Sequence, residues 1–451
     1  MNEFINEETN YYLPSFFTIY MNSSKSLENL FGSEEEHCLF HEYIHYLEDI
    51  LTTYGVTHAS QAFNNVKALY HHVKNKEKEL DTVLTADEDT DKVSDLNKRL
   101  FNLYLQYTPE TTELSYSDSV VKITPETTQV EFPDKTLKDV TSYKVFFQSG
   151  INIQFGEQAI MESISHILEK LIYSISTKDY LLPYDLAYLI WIYYLPEESE
   201  NYSALLDLEE FSLQFYNPAD IFIMSLEKVK NGEIDISSGL YKRLLEIWHS
   251  KDKNASELYQ AGLAQLESDI NGVFVADVYS VFKTWILQVL KNAGKFKEDN
   301  DPIFSLILQG YDKTSIHELF KYFKECFGMP MVINADGAVY IRGILKDGLP
   351  DVKLTKENIG PWMFAFYSFI SVLAVYSVYK NVIKGDEKTP KCLLTEVCRH
   401  YNEYTNDGIS LFDFDDDCID KPEEKRVKEA SFCPFAVVWQ TFGLNNMYFF
   451  R

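Results

Sequence analysis

The stretch SEEEHCLFHEYIHYLEDIL, residues 33–51, decides how the rest of the chain is read. It carries His41, Glu42 and His45. On a helix, residues four apart lie one turn apart on the same face. Two imidazoles in that relation reach one small cation at nitrogen–metal distances of about 2.0–2.1 Å. Glu42 is turned roughly 100° from His41, so it meets water at the metal rather than the metal itself. The pattern H-E-x-x-H thus divides labour between two ligands and one general base.

The flanking sequence predicts a helix over residues 33–54. Ser33 and Glu36 match a capping box, and Glu34 and Glu35 suit the positive helix start. Apolar residues follow at helical spacing: Phe40, Tyr43, Ile44, Leu47 and Leu51. Gly55 is the expected stop. The plain alternative is an ordinary helix carrying two satisfied histidines. Cys38 reads as a small buried hydrophobe. His37 stands about 12 Å of helical rise from His45, too far to share its ion, and reads as a surface or supporting residue.

A catalytic zinc needs a third protein ligand. The extended pattern that would put a histidine further along the same helix fails, because Leu51 stands there and Glu48 replaces the glycine. Glu48 and Asp49 continue the same helix and point along it. The best source of a third ligand is GEQAIMESISHILEKLIY, residues 156–173. Ile160, Ile164, Ile167, Leu168 and Leu171 form an apolar stripe, with Glu162 and His166 four apart on a neighbouring face. A ligand from such a crossing helix meets the open vertex directly. Glu162 is the expected ligand; His166, Glu157 and Glu169 are the alternatives. Glu157 also suits the first turn of a helix as an end charge, and Glu169 reads as solvated.

With these residues in place, the sequence resembles the zincin metallopeptidases of the glutamate-ligand type, the gluzincins. The resemblance rests on His41-Glu42-x-x-His45 and the later helix bearing Glu162. It implies a small sheet beside two crossing helices, a Zn²⁺ ion on His41, His45 and Glu162, and Glu42 as general base. In that family an aspartate often follows the glutamate by four residues and supports a histidine ligand; here His166 occupies that place. An edge strand of the sheet then pairs with the substrate backbone, and residues 13–21 and 144–155 are the two candidates. The rival reading is a non-catalytic, zinc-stabilised binding or signalling protein that uses its helical portion as an interaction surface.

The expected fold class is α+β and predominantly helical, a zincin-like core with a large helical C-terminal portion. A hydrophobic content of 45% and an aromatic content of 15% in 451 residues support a large core. Residues 1–180 form the core, with a charged helical excursion near 65–110. Residues 181–330 are helical, and 331–451 add a hairpin and helices packed on the core. Residues 11–22 read as one edge strand and a turn, 119–134 as a hairpin turning at Pro125, and 144–156 as a strand entering the second helix. Residues 330–343 read as a hairpin turning at Asp336-Gly337.

A net charge of −28, with no basic stripe, argues against nucleic-acid binding. The N-terminal residues lack a signal-peptide pattern, and six cysteines in a long chain read as reduced thiols, so a cytoplasmic protein is expected. The uncharged run 361–379 reads as a buried helix rather than a membrane span. Cys392, Cys398, His400, Cys418 and Cys433 lack the paired spacing of a structural zinc site. DFDDDCID, residues 413–420, reads as a solvated acidic loop. The expected partners are a protein or peptide substrate and a protein regulating access to the cleft, with no membrane.

Overall fold

The computed structural model describes residues 10–13, 17–76, 105–106, 111–131, 135–236, 239–248, 254–275, 280–298, 301–310, 316–336 and 339–340. The readings made for 361–379, for the late cysteines with His400, for 413–420 and for most of the 65–110 excursion lie outside these residues. The chain opens with β1 (Tyr11–Leu13), β2 (Thr18–Met21), α1 (Leu27–Leu30), α2 (Glu36–Leu51) and α3 (Thr53–Lys76). Then come β3 (Thr112–Leu114), β4 (Val120–Glu131), β5 (Leu137–Phe147), β6 (Asn152–Phe155), α4 (Glu157–Tyr173), β7 (Tyr180–Leu182) and α5 (Leu186–Tyr194). The remainder is α6 (Tyr202–Ser212), α7 (Pro218–Lys230), α8 (Leu240–Ile247), α9 (Ala255–Val273), α10 (Ser280–Glu298), α11 (Ile303–Gln309), α12 (Ile316–Phe327), β8 (Met331–Asn334) and β9 (Val339–Tyr340). The architecture is α+β, mostly helical, with small sheets.

Helix α2 is the hub. Leu39, Phe40, Tyr43, Ile44, Tyr46, Leu47, Ile50 and Leu51 are all buried, and so are Glu36, Glu42, His45, Glu48 and Asp49, so the helix is covered around most of its circumference. A helix of that kind has to sit inside the protein. It packs on α3, α4, α10, β1 and β2. Each fully buried aromatic or leucine side chain contributes about 1.5–3 kcal/mol. Two phenols then fix its rotation. Tyr43 donates to the Gly328 carbonyl at 3.0 Å and Tyr46 to the Phe327 carbonyl at 2.6 Å. The end of α12 is thereby tied to the helix that carries both histidines.

Several local readings of the sequence are corrected. The capping box does not form: the Ser33 hydroxyl accepts from the Glu35 N–H, and Glu36 reaches back to the Gly32 N–H at 2.7 Å. Gly55 does not stop α2. The helix ends at Thr52, and Gly55 lies inside α3, where a Cβ would sit 2.4 Å from the Asp49 Cα. The glycine permits close approach of two consecutive helices, a packing demand that propensity cannot see.

Where one strand was expected over residues 11–22, β1 and β2 are two strands that pair antiparallel, with Tyr12 opposite Ile19. Pro125 sits mid-strand in β4, opposite Tyr143 on β5. That is tolerated because β4 is an edge strand of the order β4-β5-β6, where the missing N–H breaks no outer ladder. Residues 144–156 fold as two antiparallel strands, β5 and β6, around Gly150 at φ +90°. In the late segment β8 pairs antiparallel with β9 and parallel with β2, placing Val332 beside Ile19, while the expected turn at Gly337 lies outside the described residues. Among the described residues no helix is long and apolar enough to cross a membrane.

Candidate metal centre

Helix α2 packs on α4, where His37 and His41 meet Glu169 and His41 and His45 meet Glu162. The stripe of Ile160, Ile164, Ile167 and Leu168 is buried and seats α4 on the rest of the core. That docking brings Glu162 to both histidines. Its Oε2 lies 3.3 Å from His41 Nε2 and 3.5 Å from His45 Nε2. Three ligands at 2.0–2.2 Å and tetrahedral angles around one ion stand roughly 3.3–3.5 Å apart. The ligand atoms of His41, His45 and Glu162 all lie within 4.8 Å of one another, so this group can hold a metal ion. Among the described residues it is the one group of three or more histidine, cysteine or acidic side chains that does so.

The far side of each ring is also engaged. His41 Nδ1 faces Glu169 Oε2 at 3.0 Å, and His45 Nδ1 faces Glu48 Oε2 at 2.7 Å. A carboxylate on Nδ1 keeps the proton there and presents Nε2 toward the ion, which fixes both tautomer and ring plane. Burial would lower the His41 pKa, but Glu162 and Glu169 outweigh it and raise it to about 9. His45 is raised well above its ordinary value: Glu48 and Glu162 overcome its burial. Glu162 and Glu169 are held well below the usual carboxylate range, because the histidine bonds outweigh burial.

Glu42 is 8% exposed. Burial lifts its pKa, and the neighbouring His41 and His45 pull it partly back. Asp49 points the other way and accepts from the Tyr12 hydroxyl at 2.9 Å. Glu157 is buried outside the three-ligand group, and burial pushes it up to about 8. His166 does not touch His41 or His45. Its Nδ1 lies 3.9 Å from Glu169 Oε2 and its Nε2 3.8 Å from Asp185 Oδ2. His37 binds the other oxygen of Glu169. Glu169 is therefore the anchor of three histidines rather than a solvated acid. Burial, with the nearby Glu169 and Glu42, pushes the Cys38 thiol up to about 11.

Two neighbours escaped the sequence reading altogether. The Ser165 hydroxyl lies 3.1 Å from His41 Nε2, and the Tyr184 ring packs against His41 at 6.1 Å and His166 at 5.5 Å. Nothing distinguishes Tyr184 among 31 tyrosines. Glu169 did leave a signal: it follows Glu162 by seven residues, two helical turns on the same face. So did Glu48, three residues after His45.

No protein family, curated protein or solved structure matches the chain. The functional reading rests on the geometry alone.

Proposed function

We propose that this chain is a zinc-dependent endopeptidase of the glutamate-ligand zincin type, selective for one or a few proteins. The observation that carries the proposal is the meeting of His41 Nε2, His45 Nε2 and Glu162 Oε2, with Nδ1 of each histidine held by its own carboxylate. Two imidazoles and a carboxylate are a donor set of catalytic zinc, which uses three protein ligands and keeps a fourth position for water or substrate.

A zinc ion there supplies a Lewis acid that acidifies water and polarises a peptide carbonyl. The chain's own residues do the rest. Glu42 takes a proton from the attacking water as its oxygen bonds to the carbonyl carbon. Glu42 then passes that proton to the amine nitrogen as the carbon–nitrogen bond breaks. Burial raises its pKa and the two histidines limit the rise, which suits a group that both accepts and releases a proton. Glu48 and Glu169 keep the imidazoles from turning. The helices from α5 onward form a body larger than a small-peptide hydrolase needs, which favours docking of a particular protein over general digestion.

The test compares zinc-loaded wild type with Glu42→Gln. Both are expected to bind one zinc, and only the wild type to generate new protein N-termini in an unbiased terminal-profiling experiment. Equal cleavage by both proteins defeats the mechanism. Zinc binding with no cleavage by either favours the non-catalytic reading.

A further inference from the structure

The face of α4 that carries Glu162 also carries a hydroxyl. Ser165 follows Glu162 by three residues, one turn along the same face. It is 0% exposed. Its Oγ lies 3.1 Å from the Glu162 carbonyl oxygen and 3.3 Å from the Met161 carbonyl oxygen. It also lies 3.1 Å from His41 Nε2, the nitrogen that meets Glu162 Oε2 at 3.3 Å.

A serine inside a helix ordinarily bonds back to a carbonyl one turn earlier. That accounts for the two carbonyl contacts and leaves the third unexplained. A hydroxyl has one proton and two acceptor lone pairs. Without a metal, Ser165 and His41 Nε2 can bond in either direction. With an ion on Nε2, that nitrogen neither donates nor accepts. The hydroxyl proton then goes to the Glu162 or Met161 carbonyl, and lone pairs of the oxygen are left beside His41 Nε2. Ligand atoms around one tetrahedral ion stand roughly 3.3–3.5 Å apart. Ser165 Oγ, at 3.1 Å from Nε2, is close to that spacing. A neutral serine or threonine oxygen is a competent cation ligand, as where such a hydroxyl binds Mg²⁺ beside a bound phosphate.

We propose that Ser165 Oγ is a fourth, neutral donor to a metal held by His41, His45 and Glu162. The proposal rests on metal binding by those three residues and not on peptidase activity. An uncharged oxygen is the weakest of the four donors, so it is the one that water or a peptide carbonyl displaces. The site thus keeps an exchangeable fourth position.

The test titrates Co²⁺ into wild type, Ser165→Ala and Ser165→Cys under reducing conditions and follows the visible and near-ultraviolet spectra. Ser165→Ala deletes the donor. It is expected to bind roughly tenfold more weakly, the lower end of the scale for groups that support a metal site, and to show altered visible bands. Ser165→Cys puts a thiol where the hydroxyl stood. It is expected to add a sulfur-to-cobalt charge-transfer band that saturates at equimolar Co²⁺ and that wild type, with its own six cysteines, lacks. A cysteine variant that binds Co²⁺ without this band overturns the proposal, because a serine that only supports the His41 ring does not place sulfur on the ion. An alanine variant with the wild-type spectrum also overturns it, whatever its affinity. If the cysteine variant fails to fold, the alanine spectrum decides alone. A wild type that binds no Co²⁺ removes the metal site and this proposal together. A wild type that binds, with either variant failing as above, leaves the three-ligand site standing and sinks only the fourth donor.

Discussion

Removing the carboxylate behind His41 should weaken metal binding without touching a ligand. Glu169 Oε2 lies 3.0 Å from His41 Nδ1, its other oxygen engages His37, and its side chain is 13% exposed. Glu169→Ala leaves the ring free to turn and its Nδ1 proton without a buried acceptor. Loss of such an outer partner costs 10–100-fold in metal affinity, about 1.4–2.8 kcal/mol. The alanine variant belongs near the upper end, because Glu169 restrains ring, tautomer and charge together. Glu169→Gln keeps an acceptor oxygen and loses only the charge, so it belongs near tenfold. Competition against a chromophoric chelator at pH 7.5 reads the affinity directly. His37→Ala is the control: it removes the other partner of Glu169 and should change affinity by less than about threefold. Alanine binding as tightly as wild type, or His37→Ala as damaging as Glu169→Ala, would refute the reasoning.

Other outcomes follow from the same structure. Glu162→Ala should lose more affinity than Glu169→Ala, while Asp49→Asn, which weakens the bond from Tyr12, should keep metal affinity near wild type; chelator competition checks both. Gly55→Ala should destabilise by about 1–3 kcal/mol or prevent folding, since its Cβ would overlap the Asp49 backbone; urea melts measure this. Lys297→Met strands the buried Glu210 carboxylate that Lys297 meets at 2.8 Å, and should cost about 3–5 kcal/mol in the same assay. Glu157 has a folded pKa of about 8 against an ordinary 4.5, so the folded state holds the extra proton and stability falls as pH rises through that window. Glu157→Gln should flatten the fall between pH 5 and 8; an unchanged pH–stability slope would show that Glu157 does not carry it.

The His41, His45 and Glu162 group was largely legible because helical spacing alone puts His41 and His45 on one face and Glu162 on an amphipathic partner. What escaped was decided by tertiary packing. Glu169 reads as solvent-facing until α4 docks on α2 and turns it onto His37 and His41. Gly55 reads as a helix stop until the backbone of Asp49 is seen to need its missing Cβ. Pro125 reads as a turn because proline usually breaks a strand, yet an edge position removes the objection. The parallel pairing of β2 with β8 joins residues far apart in sequence, and no local pattern announces it.

X-ray diffraction at the zinc absorption edge, on crystals grown with the zinc-loaded chain, tests the central claim most directly. The account predicts one anomalous peak about 2.0–2.2 Å from His41 Nε2, His45 Nε2 and a Glu162 carboxylate oxygen. No peak at this site, or a peak on the two histidines with Glu162 more than about 4 Å away, would contradict it.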